Sequence, residues 1–151
     1  MRLLRFALIT LWLAAPPLPA ADLEGYVFVN DDASLRLRGK TVHLYGIYVP
    51  PTDDSCRSFQ RPVVCAPRAA LALEFNIGSH FVGCDIMGSN DDGSLIGLCR
   101  VDGRDLSAQL LQQGWAVARP EAPIEYQTLE KLARNQGVGI WGLPIDRLRP
   151  R

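Results

Sequence analysis

Residues able to do nucleophilic or acid–base chemistry are few in this chain. There are two histidines, His43 and His80. His43 lies in the stretch Val42-His43-Leu44-Tyr45-Gly46-Ile47-Tyr48-Val49-Pro50-Pro51. A histidine base beside hydroxyl groups, here Tyr48 and Ser94, is the raw material of a nucleophile-and-base site. Such a site also needs a carboxylate to orient the imidazole. None is evident unless Asp31 reaches it. Metal chemistry has less support. The four cysteines, Cys56, Cys65, Cys84 and Cys99, and the two histidines show no zinc-ligand spacing. Asp31 is a weak cation-ligand candidate, and Asp31-Asp32 reads more simply as a solvated turn.

The elements that must position these residues follow from periodicity. Val42 and Leu44 alternate with His43 and Tyr45, the pattern of a half-buried strand. Pro50-Pro51 stops it, because proline has no N–H for a ladder. Upstream, residues 25–30 and 34–38 read as two strands joined at Asp31-Asp32-Ala33, with a tight turn at Gly39-Lys40. A loop with Cys56 and Cys65 precedes a helix over 67–76, which Pro67 opens and Gly78 ends. Two more strands, 81–87 and 95–101, flank Asn90-Asp91-Asp92-Gly93. Asp105 suits the N-cap of a helix over 106–113, and Gly114 stops it. A last helix over 124–136 places Tyr126, Leu129, Leu132 and Ala133 on one face, with Gly137 after it. Trp115 and Trp141 read as core packing. No internal repeat or low-complexity segment appears.

The second hairpin makes a specific statement about the cysteines. If Asn90 to Gly93 form its turn, facing positions sum to 183, as Cys84 and Cys99 do. Directly opposed Cβ atoms lie about 4.5–5.5 Å apart, within reach of a bridge after slight adjustment. Four cysteines allow three connectivities. This register selects Cys84–Cys99 and leaves Cys56 with Cys65.

The chain has 151 residues and 48% hydrophobic composition, enough for one ordinary domain. Residues 1–20 read as a secretory signal peptide. Arg2 and Arg5 precede a ten-residue apolar run, 6–15, too short for a membrane span of about 18 residues. Prolines at 16, 17 and 19 break the run, and Ala20-Ala21 offers cleavage after Ala20. The expected location is periplasmic or secreted, without a membrane span. Residues 21–142 then form the domain, and 143–151 a loose tail. The mature chain carries 14 basic and 16 acidic residues, with no basic run of the kind that grips phosphate backbones.

The framework Val42, Leu44, Gly46, Ile47 and Pro50 resembles the V-R-L-x-G-I-D-A-P-E segment of staphylococcal-nuclease-like (thermonuclease) domains. The run from Val29 to Leu35 fits that family's V-x-D-G-D-T-L, and 90–94 lies where it has D-x-Y-G-R. Gly114-Trp115-Ala116 and Gly139-Ile140-Trp141 match its G-W-A and G-x-W. The resemblance covers residues 23–142. It implies a mainly β fold with α, a five-stranded OB-fold barrel carrying three helices. It also implies a cysteine pair in the loop, which fits Cys56–Cys65. The family cuts phosphodiester bonds with calcium, using carboxylate ligands, a carboxylate base and two arginines. Here the ligand aspartates fall on Ala33 and Tyr48, the base on Pro51, and the arginines on His43 and Ser94. Asp31 alone falls on a family aspartate. The barrel would bring His43, Tyr48 and Ser94 near one pocket.

The resemblance therefore implies an exported, nuclease-like protein without the catalytic set, a non-catalytic binding or structural module needing no cofactor. Its ligand would be an oligosaccharide, an oligonucleotide or a protein of the cell envelope. One alternative is a residual calcium-dependent nuclease using Asp31, Asp91 or Asp92. Another, from family association alone, is an accessory role in envelope exopolysaccharide assembly.

Overall fold

The computed structural model of the chain describes residues 21–51 and 65–142. Alternating residues build its strands. Leu35 and Leu37 of β3 (Leu35–Leu37) point inward, as do Val42 and Leu44 of β4 (Lys40–Leu44). Val82 and Cys84 do so from β6 (Val82–Ser89), and Cys99 and Val101 from β7 (Leu95–Val101). These side chains form one core, and the residues between them, Arg36, His43, Gly83 and Arg100, face outward.

The first strand is split. β1 (Leu23–Gly25) pairs antiparallel with β6, while β2 (Val27–Val29) pairs antiparallel with β3. Only Tyr26 separates the two pieces. The sheet order is β1-β6-β7-β4-β3-β2, so its two ends are consecutive pieces of chain. The sheet thus curls into a nearly closed barrel, which leaves few unpaired edge groups. β4 and β7 pair parallel, with Val42 facing Leu95 and His43 facing Ile96.

Three helices complete the fold, as the sequence predicts: α1 (Cys65–Ile77), α2 (Leu106–Gln112) and α3 (Ile124–Gln136). The first begins two residues before Pro67. Asp105 caps α2, its side chain accepting from the N–H groups of Ser107 and Ala108. Gly137 closes α3 in the left-handed conformation. Short pieces are added to the predicted strands. β5 (Ile47–Tyr48) pairs with β9 (Val117–Ala118), and β8 (Arg104–Asp105) turns back to pair antiparallel with the end of β7. Around β5 and β9 a second cluster joins Val117 and Ile140 to the half-buried Tyr48, Trp115 and Trp141.

Cys84 and Cys99 are bonded, as the hairpin register requires. The register beside the turn is nevertheless one residue longer than a four-residue turn gives. Ser89 faces Leu95 and Gly88 faces Ile96. A bulge between Ile86 and Gly88 absorbs the extra residue, so that Ile86 faces Gly97 and Cys84 faces Cys99. Cys56 and the Cys65 side chain lie outside the described residues, as do the expected signal peptide and tail.

The bridge spans 15 residues between two fully buried positions. A loop of that size stabilises by about 3 kcal/mol in the chain-entropy account. A Cys84→Ala, Cys99→Ala variant should lose at least that in urea unfolding. An unchanged midpoint would show that the barrel does not depend on the bridge.

Candidate functional site

Two turns of nearly the same sequence border one cleft. Asn30-Asp31-Asp32-Ala33-Ser34-Leu35 and Asn90-Asp91-Asp92-Gly93-Ser94-Leu95 differ only at the fourth residue. The sequence therefore does hold a short internal repeat. Its two copies fold alike. The asparagine N–H donates to the serine carbonyl at 2.8 Å in both turns. The asparagine Nδ2 donates to the serine Oγ at 2.9 and 2.8 Å. The serine N–H and hydroxyl both donate to Oδ1 of the second aspartate, the hydroxyl at 2.6 Å in each. The fourth residue takes a left-handed φ, 62° at Ala33 and 82° at Gly93. Glycine adopts this freely, whereas alanine does so at a cost of about 1 kcal/mol.

β4 runs between the strands that follow these turns. Leu35 and Leu95 face Val42 from opposite sides, and His43 is the next residue. The result is an open cleft of about 450 Å³. Asp32, Ala33 and Asn90 line it from the turns, and His43, Tyr45 and Tyr48 from β4 and beyond. Arg119 and Glu121 close the far side.

The far side is held by a chain of specific contacts. After Tyr45 the backbone turns at Gly46, where φ is 73°. A Cβ there would lie 2.9 Å from the Tyr126 ring, so α3 packs directly on this turn. The Tyr126 hydroxyl donates to Asp105, and the Ser107 hydroxyl donates to the Tyr45 carbonyl at 2.9 Å. Burial, and then the adjacent Asp105 carboxylate, hold the Tyr126 hydroxyl well above the usual phenol range, so it remains a donor. Glu130, also buried, accepts from the Ala118 N–H at 2.8 Å and anchors β9. The Arg119 N–H then reaches the Gly46 carbonyl at 2.9 Å, and its Nε reaches the Ile47 carbonyl at 3.1 Å.

The cleft is acidic at its turns. Burial pushes the Asp32 carboxyl up, but the Ser34 hydrogen bonds and the nearby His43 outweigh it and leave the group below its ordinary value. At Asp92 the Ser94 hydrogen bonds dominate, and that carboxyl is lowered too, with a smaller contribution from His43. Both carboxylates are therefore ionised near neutral pH.

The residues singled out from the sequence divide. Ala33, His43 and Tyr48 line the cleft together. Pro51 is exposed and outside the lining. Ser94 is also outside it; the side chain is buried, with its hydroxyl committed to Asp92 and Asn90. The expected His43, Tyr48 and Ser94 grouping thus reduces to two members. Asp31 is exposed at a turn tip and does not join them. Among the described residues no group of three or more His, Cys, Asp or Glu side chains could hold a metal ion. Sequence reasoning missed Asp32, Asn90, Tyr45, Arg119 and Glu121 as lining residues. The repeated hexapeptide could have found Asp32 and Asn90. No protein-family model matches this chain, and no curated protein does.

Two measurements check this geometry. Gly93 has no neighbour within 4 Å of an added Cβ, so Gly93→Ala isolates the backbone cost. It should destabilise by about 1 kcal/mol in thermal or urea unfolding. No loss would mean that residue 93 is not left-handed. The second check uses pH. A carboxyl whose folded pKa is lowered adds stability above its unfolded value of about 3.9, lost as pH falls through the folded value. Ser34→Ala should raise the Asp32 pKa, and Ser94→Ala the Asp92 pKa, in carboxyl NMR titrations. Each variant should also weaken the acid-range fall in stability.

Proposed function

We propose that this chain is an exported, nuclease-like barrel protein whose cleft binds a small ligand without cutting it. The observation that carries this reading is the cleft itself. Ala33, His43 and Tyr48 stand at three of the five positions where the resembled family carries its ligands, base and arginines, and they surround open space rather than filling it. A volume of about 450 Å³ lies in the range of small-molecule pockets, about 300–1,000 Å³. The split first strand, the parallel β4–β7 pairing and the three helices support an OB-type barrel, whose ligand face is formed by its second and third strands and the loops beside them. In that comparison the two repeated turns are those loops.

Hydrolysis lacks its parts at the positions the resemblance assigns to it. Alanine and proline offer no ligand or base. Tyr48 offers a phenol where calcium takes carboxylate and carbonyl oxygens. Among the described residues Arg119 is the single arginine of the lining, and its Nε is already bonded. The apolar run and small residues of 6–21 support export, and the Cys84–Cys99 bond suits an oxidising compartment. Among the described residues no helix is long and apolar enough to cross a membrane.

The purified full chain should show no cleavage of DNA or RNA with calcium or with a chelator, followed across an elution profile. It should bind members of a chemically diverse fragment library, with amide NMR shifts grouped at residues 33, 43 and 48. Cleavage that tracks the protein peak and disappears in a His43→Ala, Tyr48→Ala variant would overturn the non-catalytic reading. A library that moves none of those amides would overturn the binding reading.

A further inference from the structure

Resting on the binding reading above, we infer that the cleft takes an uncharged saccharide rather than a nucleotide or another phosphorylated ligand. The lining combines two features. The first is aromatic. Tyr45 and Tyr48 are half-buried, packed on one side against the core or the smaller cluster while also lining the cleft. Rings held this way present a fixed apolar surface with a polar hydroxyl at its edge. That suits a pyranose, which has a carbon–hydrogen face and a rim of hydroxyls.

The second is a set of hydrogen-bonding groups fixed before any ligand arrives. Asp32 uses Oδ1 for Ser34, leaving Oδ2 uncommitted among the described residues. Asn90 uses Nδ2 for Ser94, leaving Oδ1 uncommitted in the same sense. The turn networks hold both side chains in place, so little rotamer freedom is lost on binding. Across the cleft, Glu121 offers acceptors, and Arg119, tied through Nε, offers its terminal nitrogens as donors. Alternating donors and acceptors match neighbouring hydroxyls, which both donate and accept.

Charge separates a saccharide from a phosphate. Asp32 faces the cleft with an ionised carboxylate, Glu121 brings a second carboxyl group, and Asp92 adds its charge through the second turn. Against them stand Arg119 and the imidazole of His43. A phosphate dianion would meet like charges around the cleft, which costs affinity. A neutral ligand meets no such opposition, and its hydroxyls donate to those carboxylates in charge-assisted bonds.

The test is NMR titration of the full chain with cellotetraose, maltotetraose, N-acetylchitotetraose, tetrathymidylate and inorganic phosphate. At least one tetrasaccharide should move the amides of residues 32, 33, 43, 48, 119 and 121, with neither phosphorylated probe doing so. Glu121→Gln, at an exposed residue, should weaken that tetrasaccharide about tenfold through loss of a charged acceptor. An unchanged affinity in that variant would overturn the placement of the sugar in the cleft. Shifts by tetrathymidylate or phosphate alone would overturn the ligand class while leaving the binding reading intact. Silence of all five probes, where the fragment library moves residues 33, 43 and 48, would do the same. Silence of probes and library alike would remove both.

Discussion

Val42 is paired on both sides, to Leu35 through an antiparallel ladder and to Leu95 through a parallel one. The parallel contact cannot come from a hairpin. It needs a long crossover, which here contains α1 and β6. Once it forms, the strands after the two repeated turns lie on either side of the same residue. The cleft follows from that placement, because His43 then emerges between two acidic turns. Loss of the β4–β7 contact would separate the turns and open the barrel together. Cys84–Cys99 secures the neighbouring β6–β7 ladder.

The other wall depends on close packing rather than pairing. Tyr126 fits over Gly46 because no Cβ stands in the way, and its hydroxyl finds the carboxylate that also caps α2. One aspartate thus joins a helix start, a helix side and the turn beyond β4. Each hydrogen bond contributes only about 1 kcal/mol net. Removing one partner leaves a buried group unsatisfied, which costs more. The arrangement fixes geometry more than it adds stability, as a pre-shaped cleft requires.

Much of this was legible in the sequence, for identifiable reasons. Alternation along 35–37, 40–44 and 95–101 and the residues flanking the helices carry their own signals. The Cys84–Cys99 pairing emerged from turn counting, although the turn is longer and a bulge compensates. A bulge leaves no mark in period-two alternation when its residue, here Met87, is exposed. β5 and β9 have two residues each, too few for any periodicity. Arg119 and Glu121 enter the cleft because β9 is held in place by its pairing with β5 and by Glu130, twelve positions after Ala118. That is a tertiary contact, and no local pattern encodes it. Ser94 failed as a cleft residue for the same reason that makes it useful: its hydroxyl is needed inside the turn.

The repeated turns also explain how the cleft keeps its carboxylates ionised and fixed in place. In each turn one oxygen of the second aspartate is occupied by two donors from the serine beside it. Those donors satisfy the charge locally and lower the carboxyl pKa, so the group stays ionised. A hard cation needs several oxygens converging on one point. Here Asp32 and Asp92 belong to separate turns, and each is tied to its own backbone. Facing the cleft among the described residues are Asp32 with its Oδ2 from one turn and Asn90 with its Oδ1 from the other. Acceptors set apart across a cleft and backed by tyrosine rings suit a ligand that brings its own donors, which hydroxyl groups do and phosphates do not.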